Sequence, residues 1–374
     1  MTNNKEKKVL NVPNLRFPEF EGEWKIVSLQ EIASINPKSE PLQNRFFYID
    51  LEAVEKGELR KIQEILQEEA PSRAQRVINN NDILFQCVRP YQKNNYIHKE
   101  PNTSMTQWVA STGYAQIRTT ESPNYIYHLL NTDGFNRKVM VRCTGSSYPA
   151  INSEDLSTIH FYLSTDKNEQ CKIARLLDLL DERIATQNKI IERYESLIRG
   201  IAQNVVRSNK PNVLLSECLE CSSSTLQESD VCENGTYPVY GANGIVGYLD
   251  GYSTEDEAVH IIKDGSGVGT VSYVIGKCSA TGTLNTLQAK DGYLLQYLYY
   301  MLKVFNFEPY KTGMAIPHIY FKDYGKAKIF CPSYIEQLRY AELLSTVDGK
   351  LLTEQNILVN FSLQKQYLLR QMFI

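Results

Sequence analysis

The cysteines and histidines of this 374-residue chain could bind zinc, but their spacing leaves any such site incomplete. Cys218 and Cys221 form one C-x-x-C pair. A structural zinc site usually needs a second pair or two histidines at matching spacing. The nearest further cysteine is Cys232, and no histidine lies close by in the sequence. For this pair we therefore favour the edge of a strand and a loop over a zinc site.

Two glycine-containing segments come close to phosphate-binding loops without matching one. GSGVGT at 265–270 has Thr270 where the G-x-G-x-x-G fingerprint has glycine, and its place between two strand-like runs predicts a hairpin turn. Gly276-Lys277-Cys278 lacks the spacing and the hydroxyl of a G-x-x-x-x-G-K-[ST] loop. The sequence also lacks Asn-Pro-Pro-Tyr, G-x-S-x-G and H-E-x-x-H motifs. These absences favour a binding or adaptor subunit over an enzyme.

The histidines and cysteines are dispersed along the chain, which is typical of structural residues. The five histidines are His98, His128, His160, His260 and His318. The eight cysteines are expected to be reduced thiols, because the chain shows no export signal. No run approaches 18 consecutive apolar residues, so we expect no transmembrane span and a cytoplasmic location.

The charge of the chain is nearly balanced but unevenly distributed. Forty lysines and arginines face 43 acidic residues, for a net charge of −3, whereas a module that binds only DNA usually has a basic excess. Residues 136–142 carry three cations and no anion, and lysines outnumber acids over 303–328. Such local patches can contact phosphates whatever the total charge. For any single one of these lysines, an ordinary solvated surface position is at least as good an interpretation.

Two long helices are the elements that must position any site in this chain. From Asn168 and from Ile335, apolar residues recur at steps of three and four, which predicts a seam with a period of 3.5. Such a stripe needs a partner helix, and an antiparallel pair within the chain is the simplest arrangement. The predicted seam positions are Ile173, Leu177, Leu180, Ile184, Gln187, Ile191, Leu344, Val347, Leu351, Glu354 and Leu358.

Each seam has a polar residue near the middle of its helix, Gln187 in the first and Glu354 in the second. In an antiparallel pair the two side chains would lie close together. We predict that they form a hydrogen bond across the seam and fix its register, as single polar core residues do. The alternative is that both side chains turn to solvent at the edge of the seam.

The two helices belong to an internal repeat. They superpose at an offset of 167 residues, so that Glu169 matches Glu336 and Asp181 matches Asp348. Upstream, TGSSYPAINSEDL at 144–156 aligns with TGMAIPHIYFKDY at 312–324, at an offset of 168. A chain built as globule, long helix, globule, long helix has a pseudo-two-fold repeat. The fold class is therefore predicted as α+β, with two mixed α/β domains separated by two long antiparallel coiled-coil helices.

Strand and turn signals in the sequence predict the secondary structure of the two globular parts. In the first we predict strands at 46–49 and 82–85 and helices at 58–69 and 124–131. In the second we predict strands at 237–241, 259–262 and 270–274. The predicted domains are a lead-in at 1–23, a first globule at 24–166, a long helix at 167–208, a second globule at 209–333 and a long helix at 334–374.

With these segments in place, the chain resembles the specificity (S) subunit of bacterial type I restriction-modification systems. PNLRFPEFEGEW at 13–24 is similar to the family's lead-in, and TGSSYPAINSEDL followed by QCKIARLLDLLDERI is similar to the end of a target-recognition domain and the first conserved helix. YPVYGANGIVGYLDGY and GSGVGTVSYVIGKCSATGTLNTL resemble the body of the second target-recognition domain. One departure is that GMAIP at 313–317 replaces the more polar GSSYP at 145–149.

The resemblance implies that this subunit reads a bipartite target in double-stranded DNA, one half per globule, while the long helices set the gap. It implies docking of two methyltransferase (M) subunits, which would bind S-adenosylmethionine and flip the target adenine. It further implies two motor-nuclease (R) subunits that use ATP and Mg²⁺. No cofactor, metal or catalytic residue is expected in this chain itself.

Base edges are read by arginine, lysine, amide and hydroxyl side chains, chiefly in the major groove. We selected polar or basic residues in the turn-rich loops next to the matched motifs, and packing of a surface loop or hairpin is the alternative role for each. The candidates are Arg89, Tyr91, Lys93, Ser146, Ser147 and Tyr148 in the first globule and Lys263, Ser266, Lys311, Thr312 and His318 in the second.

Three other readings stay open at this stage. The chain could be a DNA-independent coiled-coil scaffold that joins two binding globules. Salt-dependent, sequence-selective DNA affinity would distinguish a specificity subunit from such a scaffold. It could be the specificity subunit of a modification-only system without a nuclease. It could also be an enzyme with an unrecognised active site, which methyl transfer by this chain alone would reveal.

Overall fold

A computed structural model describes residues 11–103, 106–313 and 316–374. The chain divides into two compact units. The first unit comprises the chain up to Thr186 together with Leu358–Ile374, and the second comprises Gln187–Ile357. Both mix helices and strands, and the α+β fold class is confirmed. Among the described residues, each helix is too short or too polar to span a lipid bilayer.

The elements up to the first long helix are mostly short. They are β1 (Lys25–Ser28), α1 (Leu29–Ile32), β2 (Ala33–Ile35), β3 (Arg45–Ile49), β4 (Val54–Glu55), β5 (Glu58–Leu59), β6 (Gln63–Leu66), β7 (Ala74–Val77), β8 (Ile83–Gln86), β9 (Tyr96–Ile97), β10 (Trp108–Ser111), β11 (Tyr114–Thr119), α2 (Pro123–Leu130), α3 (Asp133–Arg142), α4 (Ser153–Ser157), β12 (His160–Leu163) and α5 (Lys167–Ser208).

The later elements end in the second long helix. They are β13 (Val213–Leu214), α6 (Leu215–Cys218), β14 (Leu219–Ser223), β15 (Tyr237–Gly241), β16 (Gly244–Leu249), β17 (Glu257–Ile262), β18 (Val271–Ile275), β19 (Ser279–Ala280), β20 (Leu284–Ala289), α7 (Leu295–Lys303), α8 (Phe321–Tyr324), β21 (Lys328–Ile329) and α9 (Tyr334–Gln371).

Two four-stranded sheets form the body of the first unit. One has the order β2-β11-β8-β9 and is antiparallel throughout. The other has the order β6-β3-β10-β7, in which β3 and β10 run parallel. All four residues of β8 are buried, because the strand lies inside its sheet and contributes Ile83 and Phe85 to the main core. That core extends to Leu177 of α5 and to Phe373, which follows α9.

The second unit repeats this plan. Its antiparallel sheet has the order β14-β20-β17-β18, and a smaller sheet, β16-β15-β19, contains the parallel pair β15–β19. In each unit the strand between the last short helix and the following long helix pairs with the unit's first strand: β12 with β1 and β21 with β13. The repeat therefore extends to strands upstream of the matched motifs, whereas the sequence reveals it only from Thr144 onward.

The predicted strands and the helix at 124–131 are confirmed as β3, β8, β15, β17, β18 and α2. The helix predicted at 58–69 is wrong, because this segment forms β5, β6 and a 3-10 turn at Gln67–Glu69. In β6, Ile65 pairs with Phe46 and packs against the cluster that contains Phe46 and Tyr48. This burial against β3 outweighs the helix propensity of the glutamates and leucines.

The long helices pair antiparallel within each unit. In the first unit, Asp181 of α5 contacts Lys365 of α9 through an ion pair, and Leu177 shares a core with Met372. In the second unit, Gln187 of α5 contacts Glu354 of α9. Gln187 Nε2 donates to the backbone carbonyl of Glu354 (3.0 Å) and to its carboxylate, so the predicted hydrogen bond is confirmed. All eleven predicted seam residues are buried or half-buried.

Candidate functional site

The same pair of loops recurs in both units. In the first unit, residues 88–93 after β8 meet residues 144–150 before α4, and we call these segments the first loop pair. Backbone bridges join Val88 and Thr144 to Ala150. The Arg89 N–H donates to the Pro149 carbonyl at 2.7 Å. Two segments about 55 residues apart in sequence are thereby held as one surface.

The second loop pair consists of residues 263–270, after β17, and residues 312–318, of which 314 and 315 lie outside the described residues. Bridges join Asp264 and Thr312 to His318, and the Gly265 N–H donates to the Pro317 carbonyl at 3.0 Å. These contacts match those of the first loop pair one for one. The predicted hairpin at 265–270 is confirmed, since β17 and β18 are antiparallel neighbours.

The repeated Thr-Gly motif has a backbone cause. Gly145 and Gly313 both have φ of +89°, a region that favours glycine. A Cβ would lie 3.0 Å from the Tyr148 carbonyl oxygen at Gly145, and 2.3 Å from the Ile316 carbonyl oxygen at Gly313. Glycine is thus required where each loop folds back on itself.

Arg89 and Tyr148 form the most defined side-chain pair of the first loop pair. The Arg89 guanidinium lies 4.3 Å from the centroid of the Tyr148 ring, a cation–π contact. Arg89 has φ of +53°, a left-handed conformation that costs a non-glycine residue about 1 kcal/mol or more. Pro90 next to it is buried, while Tyr148 is 64% exposed. The loop therefore holds a rigid cation and an aromatic ring at the surface.

A groove runs beside this pair. It is lined by Arg89 and Tyr148 together with residues that the sequence did not single out, including Arg73, Gln86, Gln92 and Asn94. The Gln86 side chain donates to the Gln92 side chain at 3.0 Å and accepts from the Asn94 N–H at 3.1 Å, which fixes the amides. No sequence signal marked Arg73, which precedes β7. Gln92 follows Tyr91 directly and could have been selected with it.

The other candidates of the first unit differ in availability. Tyr91, Ser146 and Ser147 are exposed. Lys93 is engaged, because its Nζ lies 2.7 Å from Asp133 Oδ1 and donates to the Asn131 carbonyl at 3.1 Å. The Lys93 hydrogen bond is the main cause that holds the pKa of Asp133 below its usual value. Lys93 thus serves the fold in this structure.

The basic run at 136–142 lies on α3, and two of its three cations are engaged within the first unit. Lys138 donates to the His160 carbonyl at 2.9 Å, and Arg142 donates to the Asp155 carbonyl at 2.7 Å. The third, Arg137, is exposed. This run therefore offers less free charge than its composition predicts.

In the second loop pair the candidates occupy the same frame with different chemistry. Ser266 and Thr312 are exposed, whereas Lys263 and His318 are half-buried. Lys311 forms an ion pair with Glu308 at 2.6 Å, in the same turn. The backbone position of Arg89 is taken by Gly265, and the position of Tyr148 by Ile316, which is exposed.

His318 is held by its neighbours. Its backbone N–H and carbonyl pair with Thr312, and the Thr312 hydroxyl also donates to the His318 carbonyl at 3.2 Å. Its ring packs edge to face on Tyr320 at 5.0 Å between centroids. Like the first loop pair, the second presents an ordered polar group beside an aromatic ring.

The C-x-x-C pair belongs to the fold of the second unit. Cys218 ends α6 in a buried position and its thiol contacts the Leu215 carbonyl at 3.4 Å, while Cys221 lies on β14 opposite Leu287. Burial raises the pKa of the Cys218 thiol to about 12, which opposes the thiolate form that a metal ligand needs. Within the described ranges, no cluster of three or more His, Cys, Asp or Glu side chains could hold a metal ion.

Comparison with known proteins identifies the family. A protein-family model described as "Type I restriction modification DNA specificity domain" matches residues 21–196 and 215–360 of this chain. A putative type I specificity subunit of Mycoplasma genitalium is 23% identical over 272 residues, or 67% of this chain and 70% of that protein.

Two solved structures share the fold. The crystal structure of a type I restriction-modification S subunit from M. genitalium matches with a TM-score of 0.65 at 16% identity, over 97% of this chain and 99% of that chain. A structure described as the basis of complex assembly and conformational transition of the type I R-M system matches with a TM-score of 0.53 at 21% identity. The match covers 92% of this chain and 96% of that chain. This chain belongs to the DNA specificity subunits of type I restriction-modification systems, which recognise DNA and are not themselves catalytic.

Proposed function

We propose that this chain reads a bipartite target in double-stranded DNA, with one half-site for each unit. The observation that carries the proposal is the recurrence of one loop frame in both units with different side chains on it. A shared frame supports a shared task, and different side chains support different base sequences. Bases are distinguished by hydrogen bonds and apolar contacts at their edges, and both loop pairs offer such groups.

The candidate base readers are divided between the two loop pairs. In the first unit we propose Arg89, Tyr91, Ser146, Ser147 and Tyr148. In the second we propose Lys263, Ser266, Thr312 and His318. Lys93 and Lys311 are weaker candidates, since each already has a carboxylate partner within its unit.

We propose that the long helices fix the spacing between the half-sites. α5 contributes residues to both units, as does α9, and each unit pairs one stretch of α5 with one stretch of α9. A helix adds about 1.5 Å per residue, so its length is a direct measure of separation. The Gln187–Glu354 hydrogen bond supports a single register for this pair in the second unit.

The expected partners are two methyltransferase subunits that carry S-adenosylmethionine and flip the target adenine. In a complete restriction system, two motor-nuclease subunits would add ATP- and Mg²⁺-dependent steps. Exposed apolar side chains on α9 support a protein partner, because large apolar groups at a surface often mark an interface. They are Val359, Leu363 and Tyr367 in the first unit and Leu343 and Leu352 in the second. A modification-only system would need the methyltransferase subunits alone.

The test is to co-express the chain with its methyltransferase subunit in a host without DNA methylation and to map methylated adenines by single-molecule sequencing. The expected result is one bipartite motif with a fixed spacer. A continuous, unsplit motif would contradict the assignment of one half-site to each unit. Absence of methylation, together with failure of the two proteins to co-purify, would favour the DNA-independent scaffold.

A further inference from the structure

Arg89 has no acidic partner in the described part of the chain, whereas several other cations of the first unit do. Lys93 is paired with Asp133, and Arg118 with Asp82. Arg60, which lines the same groove as Arg89, lies 2.9 Å from Glu58. Among the described residues, no carboxylate forms an ion pair with Arg89. Its charge is therefore available to a ligand in the groove.

Backbone hydrogen bonds and one aromatic contact hold Arg89 in place before a ligand binds. The backbone at Arg89 is held by the Pro149 carbonyl on one side and by the Gln92 N–H, which donates to the Arg89 carbonyl at 3.0 Å, on the other. The Tyr148 ring contacts the guanidinium, whose central carbon lies 4.3 Å from the ring centroid. An arginine has five N–H donors, so contact with one aromatic ring leaves donors for a ligand. An arginine that is held by a ring and has no acidic partner can thus donate to a planar pair of acceptors.

We infer that Arg89 reads a guanine in the half-site of the first unit, an inference that rests on the proposed DNA-reading function. The N7 and O6 atoms of guanine present two acceptors on one edge, and the arginine fork matches them with two parallel hydrogen bonds. A left-handed backbone at a residue other than glycine is the kind of strain that functional sites retain. The amides of Gln86, Gln92 and Asn94 line the same groove and would border this base.

The second unit lacks this arginine–tyrosine pair among its described residues. Gly265 and Ile316 stand where the first unit has Arg89 and Tyr148. The arginine-guanine contact is therefore assigned to one half-site alone. This asymmetry makes the inference testable within one molecule, because the unaltered half-site serves as an internal reference.

The experiment compares substitutions at Arg89 in the complex of the full chain with its methyltransferase. Arg89→Lys keeps the positive charge but loses the fork, and Arg89→Gly removes the side chain while suiting the left-handed backbone, as Gly265 does in the second unit. Arg45→Lys is the matched control, because Arg45 is an exposed arginine of the same unit on β3. Methylation rates are measured on duplexes that carry each of the four base pairs at every half-site position.

The wild-type complex is expected to prefer guanine at one position by about 5- to 150-fold, the range of one good bidentate contact. Both Arg89 variants should lose most of this preference at that position and leave the other half-site unchanged. Arg45→Lys should keep the wild-type motif. Tyr148→Phe should retain the preference, whereas Tyr148→Ala should weaken it by freeing the guanidinium.

A uniform loss of rate on all duplexes, or full activity of Arg89→Lys with the motif intact, would identify Arg89 as a phosphate contact and overturn the inference. Changes in both half-sites would overturn it as well. If the wild-type complex shows a bipartite motif but the Arg89 variants leave it unaltered, only this inference fails. If the wild-type complex reads no sequence, the proposed function itself fails.

Discussion

Arg89 and Gly265 occupy the same backbone position in two copies of one loop frame. The hydrogen bonds that define this frame are made by main-chain atoms, so the side chain at that position is free to change without loss of the loop. Gly145 and Gly313 have no such freedom, because their positive φ sets the turn. At the scale of single residues, the conformation of the loop therefore does not depend on the side chains that would determine specificity.

The stability of the second unit should depend on pH through His260. This side chain is buried on β17, and neither of its ring nitrogens has a hydrogen-bond partner among the described residues. Burial lowers the pKa of His260 to about 4. The unfolded chain then takes up a proton near pH 6.5 while the folded chain does not, so stability is complete above that pH and falls as the pH drops toward 4.

Within this window the free energy of unfolding should fall by about 1.4 kcal/mol per pH unit through His260. We expect His260→Phe to remove this slope, measured as the difference from the wild type in thermal unfolding at pH 7 and pH 5. His160→Gln is the control, because His160 is exposed and should leave the slope as it is. Equal slopes in the wild type and His260→Phe would contradict the assignment.

At the scale of elements, the start of each long helix is anchored differently. Glu169 near the start of α5 is fully buried and accepts hydrogen bonds from Arg16 Nε (2.6 Å) and Trp24 Nε1 (3.2 Å). Its counterpart Glu336 on α9 is exposed and caps its own helix through Ser333. The lead-in segment is therefore fixed to α5 by a buried ion pair.

Glu169→Gln should destabilise the first unit by about 3–5 kcal/mol, because it leaves the guanidinium of Arg16 without its buried partner. Both tryptophans of the chain, Trp24 and Trp108, lie in this unit, so denaturant unfolding followed by tryptophan fluorescence reports on it. Glu336→Gln should cost no more than about 1 kcal/mol. A similar, small loss in both variants would show that the buried network contributes little.

The polar pair in the seam should affect register more than stability. Gln187→Leu alone leaves the Glu354 carboxylate without its seam partner and should cost about 1–3 kcal/mol. The double variant Gln187→Leu with Glu354→Leu should recover most of that loss but allow more than one helix register. The registers present can be measured by disulfide cross-linking, with one pair of introduced cysteines placed to meet in the native register and another placed to meet in a shifted register. A double variant that cross-links only in the native register would refute the register role.

The sequence predicted these elements unevenly, for physical reasons. The long helices could be predicted because the apolar seam repeats along one element, so that recognising it requires no knowledge of distant contacts. The helix predicted at 58–69 failed because Ile65 pairs with, and is half-buried by, a strand that precedes it by some 20 residues. The candidate loops could be chosen from turn signals and the Thr-Gly repeat, but their pairing could not, since Val88 meets Ala150 only through the tertiary fold.

At the scale of the whole molecule, helix length should determine the spacer of the DNA target. One heptad inserted after Thr186 in α5 and one after Ile357 in α9 should lengthen the spacer by about 10 Å, or about three base pairs, without changing the half-sites. Methylome sequencing of the variant complex measures both. Replacing residues 188–194 with a different heptad that keeps Ile191 is the control and should keep the spacer. An altered half-site with the original spacer would exclude the helices as rulers.

The first unit is completed by residues from far along the chain, and this has a consequence for its synthesis. Phe373 packs against Trp24 and Tyr125, with ring centroids 6.3 and 5.2 Å apart, so the core lacks this ring until the chain has been translated that far. The intervening 171 residues, from Gln187 to Ile357, take roughly 10–30 s at ribosomal speed. The unit that begins second is therefore the first to have all its residues, and the nascent first unit lacks its last segment, with Phe373, during that time.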